Sequence, residues 1–141
     1  MFTKQAITKK LNVPAAAVWE AIRGIGRLDV WFPIIETCRV EGEGAGASRY
    51  MILVGGGEIE DVIEEIDEPC MKLVYLRPIS PFPVSSYLGT VEIFESYDGM
   101  GVVVWTIDFE SRPDDAAAVA ELVRTAIGDG IDGMEKDLMA A

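Results

Sequence analysis

Four residues in predicted strands have side chains suited to chemistry: Arg49, Asp61, Tyr75 and Tyr87. The sequence contains no histidine, so acid–base chemistry must use carboxylates, tyrosines, lysines, cysteines or water. A buried Asp61 would have a raised pKa and could act as a general acid or base. Alternatively, Asp61 could form an ion pair with Arg49 or lie exposed in a strand already rich in carboxylates. We favour this structural interpretation, because structural ion pairs also perturb carboxylates.

The two tyrosines and Arg49 each have two interpretations. Tyr75 and Tyr87 could donate hydrogen bonds to a carbonyl or a developing enolate. They could also be core aromatics with a hydrated hydroxyl group, which is the commoner role of tyrosine. Arg49 could bind an acidic group of a ligand or simply neutralise Asp61.

Composition narrows the classes of partner. The chain has 141 residues, half of them apolar, and 24 acidic against 12 basic residues give a net charge of -12. This charge argues against binding to nucleic acid or to an anionic membrane surface. No apolar run resembles a secretory signal or a membrane-spanning segment, so we predict no membrane insertion. Two cysteines without metal-ligand spacing favour a reducing, cytoplasmic location.

Alternating apolar residues and turn signals predict seven strands and no internal repeat. Glu58–Asp67 is the ambiguous one, because its carboxylates would also suit an exposed helix. We interpret its acidic run as a solvated strand face, and we predict neither a bound metal nor a cofactor. Pro78, Pro81 and Pro83 predict a loop rather than a paired strand. The predicted strands are Phe2–Leu11, Ile35–Glu41, Ser48–Val54, Glu58–Asp67, Met71–Arg77, Val84–Ser96 and Gly101–Glu110.

Helices are predicted near both ends of the chain. Pro14 suits the first turn of a short helix, Ala15–Arg23, and a compact connection over residues 28–33 follows. Start signals at Ser111 and Pro113 open a long helix whose apolar residues recur at helical spacing. Gly130 interrupts this stripe near its centre, which indicates either a space on the inner face or close packing. The stripe comprises Val119, Leu122, Val123, Ala126, Ile127, Ile131, Met134 and Leu138.

Antiparallel strands followed by a helix long enough to cover them form an α+β layout in a single domain spanning residues 1–141. This order resembles the helix-grip fold of the START-related (SRPBCC) superfamily, especially its bacterial polyketide cyclase/dehydrase-like members and, less closely, the plant abscisic-acid receptors. The matching motifs are Val13-Pro14-Ala15 with Val18-Trp19, Trp31-Phe32-Pro33 with Ile35 and Cys38, Gly44, Gly46 and Arg49, Asp61 with Asp67, Tyr75, Tyr87, and Gly130 to Met134.

The resemblance implies a curved seven-stranded antiparallel sheet wrapped around the long C-terminal helix, with two short helices between the first two strands. It also implies an internal apolar cavity. The hormone receptors carry a pocket lysine where this chain has Phe32, so binding of a carboxylate hormone through that lysine is not expected. Strand alternation, phased by the resemblance, gives the predicted ligand-binding residues Phe32, Arg49, Met51, Leu53, Ile59, Tyr75, Tyr87, Val91, Trp105, Ile107, Leu122, Ala126 and Gly130.

Three functions follow as hypotheses. The first is binding of a small hydrophobic molecule such as a lipid, a polyketide or an aromatic metabolite. The second is an enzyme similar to polyketide cyclases and dehydrases, with Asp61 and Tyr87 as catalytic residues that promote enolisation. The third is a protein-interaction role, for example as a homodimer that uses a sheet edge or an exposed apolar patch at Pro81-Phe82-Pro83.

Overall fold

The computed structural model describes all residues from 1 to 141 and contains one antiparallel sheet of seven strands. The strand order across the sheet is β1-β7-β6-β5-β4-β3-β2, so β1 and β2 form its edges. This confirms the predicted fold class. The strands are β1 (Phe2–Pro14), β2 (Ile35–Glu41), β3 (Ser48–Leu53), β4 (Glu58–Asp67), β5 (Lys72–Ile79), β6 (Ser86–Glu95) and β7 (Met100–Glu110).

Three helices accompany the sheet: α1 (Ala15–Arg23), α2 (Leu28–Trp31) and α3 (Pro113–Ala140). α3 begins with a proline and has two acidic residues in its first turn, where they interact favourably with the helix dipole. Pro14 ends β1 and precedes α1, so the prediction that it lies in the first turn of the helix was wrong. None of the helices is long and apolar enough to cross a bilayer.

The core lies between the concave face of the sheet and α3. Residues on this face alternate with outward residues along each strand, as in β7, where every second side chain is buried. α3 contributes a buried stripe that includes Val119, Val123, Ile127 and Met134. Burial of these two apolar surfaces against each other is what holds the helix on the sheet.

Two predictions about inward-facing and loop residues need correction. Leu122 is 50% exposed, because at 3.6 residues per turn it projects about 110° from the centre of the buried stripe. Pro78 belongs to β5, although we predicted a loop there. The strand tolerates it because β4 and β5 shift register at this point, and prolines within sheets are confined to such bulges and to edges.

Candidate functional site

A small cavity lies under α3, enclosed by side chains of the sheet, of α2 and of the neighbouring loops. It measures about 20 Å³, which is room for a single water molecule. Its lining is apolar except for one guanidinium group and two tyrosine hydroxyl groups. The lining residues are Leu28, Phe32, Ile34, Ile35, Ile59, Tyr75, Arg77, Phe82, Tyr87, Trp105, Val123, Ala126 and Ile127.

The ring of Phe32 fills the space that Gly130 leaves in α3. A Cβ atom at Gly130 would lie 2.3 Å from Cε2 and Cζ of this ring. The ring also packs edge-on against Trp105, with centroids 5.6 Å apart. The space predicted at Gly130 therefore exists, and a side chain of the protein itself occupies it.

The backbone next to Phe32 is held firmly against α3. The carbonyl oxygen of Trp31 lies so close to Gly133 that a Cβ atom there would be only 2.1 Å away. The indole Nε1 of Trp31 donates a hydrogen bond of 2.9 Å to Asp137, which also accepts two hydrogen bonds from Arg27. These contacts fix the backbone next to Phe32 against α3.

A buried charged cluster lies beside the cavity. Asp61 is fully buried and accepts a 2.8 Å hydrogen bond from Nε of Arg49, its cross-strand partner on β3. Nε and Nη2 of Arg77 donate to the same carboxylate at 2.7 and 3.2 Å. We call Arg49, Asp61 and Arg77 the Arg–Asp–Arg cluster. The predicted ion pair of Asp61 with Arg49 is confirmed, and a second arginine joins it.

A β-bulge aims Arg77 at this carboxylate. Glu60 pairs with Ile79 and Val62 with Leu76, so two residues of β5 face Asp61 alone. Such a bulge bends the strand and redirects its side chains. Sequence reasoning overlooked Arg77, although the alternation of inward residues through Leu73 and Tyr75 reaches it two positions later.

The cluster keeps Asp61 ionised. Burial by itself raises the pKa of Asp61, as we expected, but the charges and hydrogen bonds of Arg77 and Arg49 outweigh it, so the pKa falls below its ordinary value. The expected raised pKa was therefore wrong. A carboxylate held in this way is a weak base, and its oxygens already accept three hydrogen bonds from arginine.

The two inward tyrosines remain neutral. Burial raises the pKa of Tyr75 and of Tyr87, so both hydroxyl groups stay protonated and can donate hydrogen bonds. The hydroxyl oxygen of Tyr75 accepts a 3.1 Å hydrogen bond from Nε1 of Trp105. The guanidinium of Arg77 lies 4.6 Å from the ring centroid of Tyr87, which is within cation–π range.

Gly89 makes room for the ring of Tyr75. The two residues pair across β5 and β6, and a Cβ atom at Gly89 would lie 2.1 Å from Cζ of Tyr75. We expect Gly89→Ala to lower the free energy of unfolding by about 1–3 kcal/mol through overpacking. Urea denaturation measures this loss. Gly128→Ala is the control, because a Cβ atom there meets nothing within 4 Å, and equal stability of the two variants would contradict the packing.

The structure brings together only part of the predicted ligand-binding set. Six of its residues line the cavity: Phe32, Ile59, Tyr75, Tyr87, Trp105 and Ala126. Others are buried or half-buried nearby without lining it: Arg49, Met51, Leu53, Val91, Ile107 and Gly130. Asp61 does not line the cavity, and Leu122 is exposed. Phe82, which we predicted in an exposed apolar patch, is half-buried and lines the cavity.

An open groove lies on the outer side of the sheet, where β5 and β6 separate. Their pairing ends at Leu76 and Leu88, so the residues beyond Leu76 have no partner in β6. The groove measures about 370 Å³. Arg77 and Tyr87 line both this groove and the internal cavity, so they form the wall between them.

Comparison with known proteins identifies relatives of the whole chain. Residues 4–138 match the family described as polyketide cyclase/dehydrase and lipid transport. No curated protein matches the sequence. An uncharacterised Bacillus thuringiensis protein is 21% identical, with a TM-score of 0.85 over 97% of this chain and 99% of that one.

Two further solved structures are similar. A Thermobifida fusca protein is 25% identical, with a TM-score of 0.76 over 96% of this chain and 92% of that one. Norcoclaurine synthase from Thalictrum flavum, in complex with dopamine and hydroxybenzaldehyde, is 16% identical, with a TM-score of 0.83 over 99% of this chain and 88% of that one. At this identity the likeness to the synthase establishes the fold alone.

Proposed function

Because the chain belongs to the polyketide cyclase/dehydrase and lipid transport family, we propose that it binds a small hydrophobic molecule between the sheet and α3. The observation that carries this proposal is the cavity wall, which is apolar except for Arg77 and the two tyrosines. Small-molecule sites have this composition, with a few polar groups that orient the ligand. The norcoclaurine synthase structure, with its dopamine and hydroxybenzaldehyde, supports small aromatic molecules as candidates.

The ligand enters by displacing side chains that now fill the site. Ligand pockets typically measure roughly 300–1,000 Å³, and the cavity here is far smaller. Phe32 and Phe82 contribute rings from two different connections, before β2 and before β6. Rotation of the Phe32 ring frees the space under Gly130 without moving the helix, and the ligand then takes the place of the ring against Trp105.

A substitution in α3 tests this location. Ala126 lines the cavity, so Ala126→Phe places a ring in the volume that the ligand needs. We expect 2-naphthamide, a neutral aromatic probe, to bind the wild-type protein and to bind Ala126→Phe at least about tenfold more weakly. Isothermal titration calorimetry measures both affinities.

The matched control is Ala118→Phe, which adds the same ring at an exposed position of α3. It should bind the probe as the wild type does. Equal weakening in both variants, or no binding to the wild-type protein, would contradict binding between the sheet and α3.

Catalysis of enolisation is the second candidate function, favoured by the convergence of Arg77 and Tyr87 on the cavity. A fixed cation and a neutral hydroxyl donor at one point stabilise the negative charge that develops on a carbonyl oxygen. Asp61 then positions Arg77, and water accepts the proton from the substrate carbon. Deuterium exchange at the methyl group of 2-acetonaphthone should be faster with the wild-type protein than in buffer. The exchange with Tyr87→Phe should be slower than with the wild-type protein. An exchange rate equal to that of buffer would exclude this activity for the probe.

A further inference from the structure

The Arg–Asp–Arg cluster has more positive than negative charge. Two guanidinium groups share one carboxylate, which leaves a formal charge of +1. Arg49 is 3% exposed and Asp61 is fully buried, so solvent screens this charge poorly. Nη2 of Arg49 is buried without any hydrogen-bond partner, another sign that the cluster lacks an acceptor.

Arg77 is the member of the cluster that a ligand can reach. Its Nε and Nη2 donate to Asp61, whereas its Nη1 donates no hydrogen bond within the protein. The side chain borders both the internal cavity and the outer groove, in the gap left by the separation of β5 and β6. The free guanidinium N–H at this gap can donate a hydrogen bond to an acceptor in the cavity or in the groove.

The surroundings of this gap suit a negatively charged group. Tyr87 adds a neutral hydroxyl donor, and the hydroxyl-bearing residues Ser80 and Ser86 also line the groove. The hydroxyl group of Ser85, which lines it too, already donates to Glu110. The only carboxylate that lines the groove belongs to Glu64, which is exposed to solvent on the outer face. Water screens this carboxylate, so Glu64 competes only weakly with a ligand for the buried guanidinium group of Arg77.

We infer that the ligand is a hydrophobic carboxylic acid whose carboxylate pairs with Arg77 at the gap between β5 and β6. This inference rests on the proposed ligand binding and specifies the chemical class. The apolar part of the molecule lies against Trp105, Val123 and Ile127, in the space that Phe32 vacates. The carboxylate brings the cluster to neutrality, and guanidinium–carboxylate hydrogen bonds are among the strongest in proteins.

A pair of probes that differ only in charge tests the inference. 2-Naphthoate and 2-naphthamide share one ring system, so their affinity ratio reports on the carboxylate. A hydrogen bond to a charged group predicts that wild-type protein binds naphthoate about 10- to 100-fold more tightly, as measured by calorimetry. Arg77→Met should reduce this ratio to near unity, whatever its effect on the absolute affinity for naphthamide.

Arg124→Met is the control, because Arg124 is exposed on α3 and pairs only with Glu121. It should keep the wild-type ratio. If wild-type protein binds both probes equally, or Arg77→Met keeps the preference for naphthoate, the inference is overturned and ligand binding stands. If neither probe binds the wild-type protein, the proposed function fails together with the inference. If Arg77→Met does not fold, the comparison in wild-type protein can still overturn the inference, because equal binding of both probes excludes the predicted preference for a carboxylate.

Discussion

Asp61→Asn is expected to lower the free energy of unfolding by about 3–5 kcal/mol, the usual loss when one partner of a buried ion pair is removed. The substitution keeps the shape of the side chain but leaves Arg49 and Arg77 buried without a counter-charge. Urea denaturation at neutral pH measures the difference. A carboxylate that served only as a catalytic group would show no such loss of stability.

The control for this prediction is Asp108→Asn. Asp108 pairs with Lys4 at 3.2 Å, but the lysine is 70% exposed. Exposed pairs of this kind contribute less than about 1 kcal/mol. If the two variants lose the same free energy, Asp61 does not hold the cluster together.

The contribution of Asp61 also depends on pH in a predictable direction. Its pKa is lowered in the folded protein, so the folded state binds fewer protons than the unfolded chain as pH falls. The stabilisation is fully present above the unfolded pKa of about 3.9 and is lost as pH falls below it toward the folded pKa. The difference in unfolding free energy between wild type and Asp61→Asn should therefore be constant near neutral pH and shrink in acid. A difference that grew in acid would contradict the lowered pKa.

Phe32→Ala is expected to cost about 3–5 kcal/mol of unfolding free energy, because it deletes a buried ring and leaves a cavity under Gly130. The same cavity should bind apolar molecules, as dry cavities lined by hydrophobic side chains do. We expect 2-naphthamide to bind this variant more tightly than wild type, since no ring has to be displaced. At 100 times its dissociation constant the probe should restore about 2.7 kcal/mol.

Phe94→Ala provides the matched control, because Phe94 is 50% exposed on the outer face. It should lose about 1 kcal/mol or less and leave probe binding unchanged. Unchanged or weaker probe binding in Phe32→Ala would show that Phe32 does not occupy the ligand site.

The sequence predicted the fold well because its signals are local. Alternation along the strands, glycine turns and the start signals of α3 each depend on only a few neighbouring residues. The resemblance to the helix-grip fold indicated how the strands and helices are arranged. Even the ambiguous segment Glu58–Asp67 proved to be strand β4. The prediction that Leu122 faces the cavity was wrong. Apolar residues at i+3 and i+4 spacing define a stripe on a helix, but the spacing alone does not show which of them lie at its exposed edge.

The site was harder to predict because it depends on contacts between distant residues. Arg77 is directed by a bulge between β4 and β5, and nothing in either strand alone reveals the register shift. Phe32 fills the hollow of Gly130 although the two residues lie far apart in the chain. The pKa of Asp61 falls although burial alone would raise it, because the charges and hydrogen bonds of Arg77 and Arg49 outweigh desolvation. Each of these facts becomes visible only when the sheet and α3 are assembled.

The most direct test of ligand binding between the sheet and α3 is the set of intermolecular nuclear Overhauser effects between 2-naphthoate and the methyl groups of the protein. The account predicts contacts from the naphthalene protons to the methyl groups of Ile59, Val123 and Ile127, which line the internal cavity. Contacts confined to Val62 and Leu76 would place the molecule in the outer groove and contradict binding beneath α3.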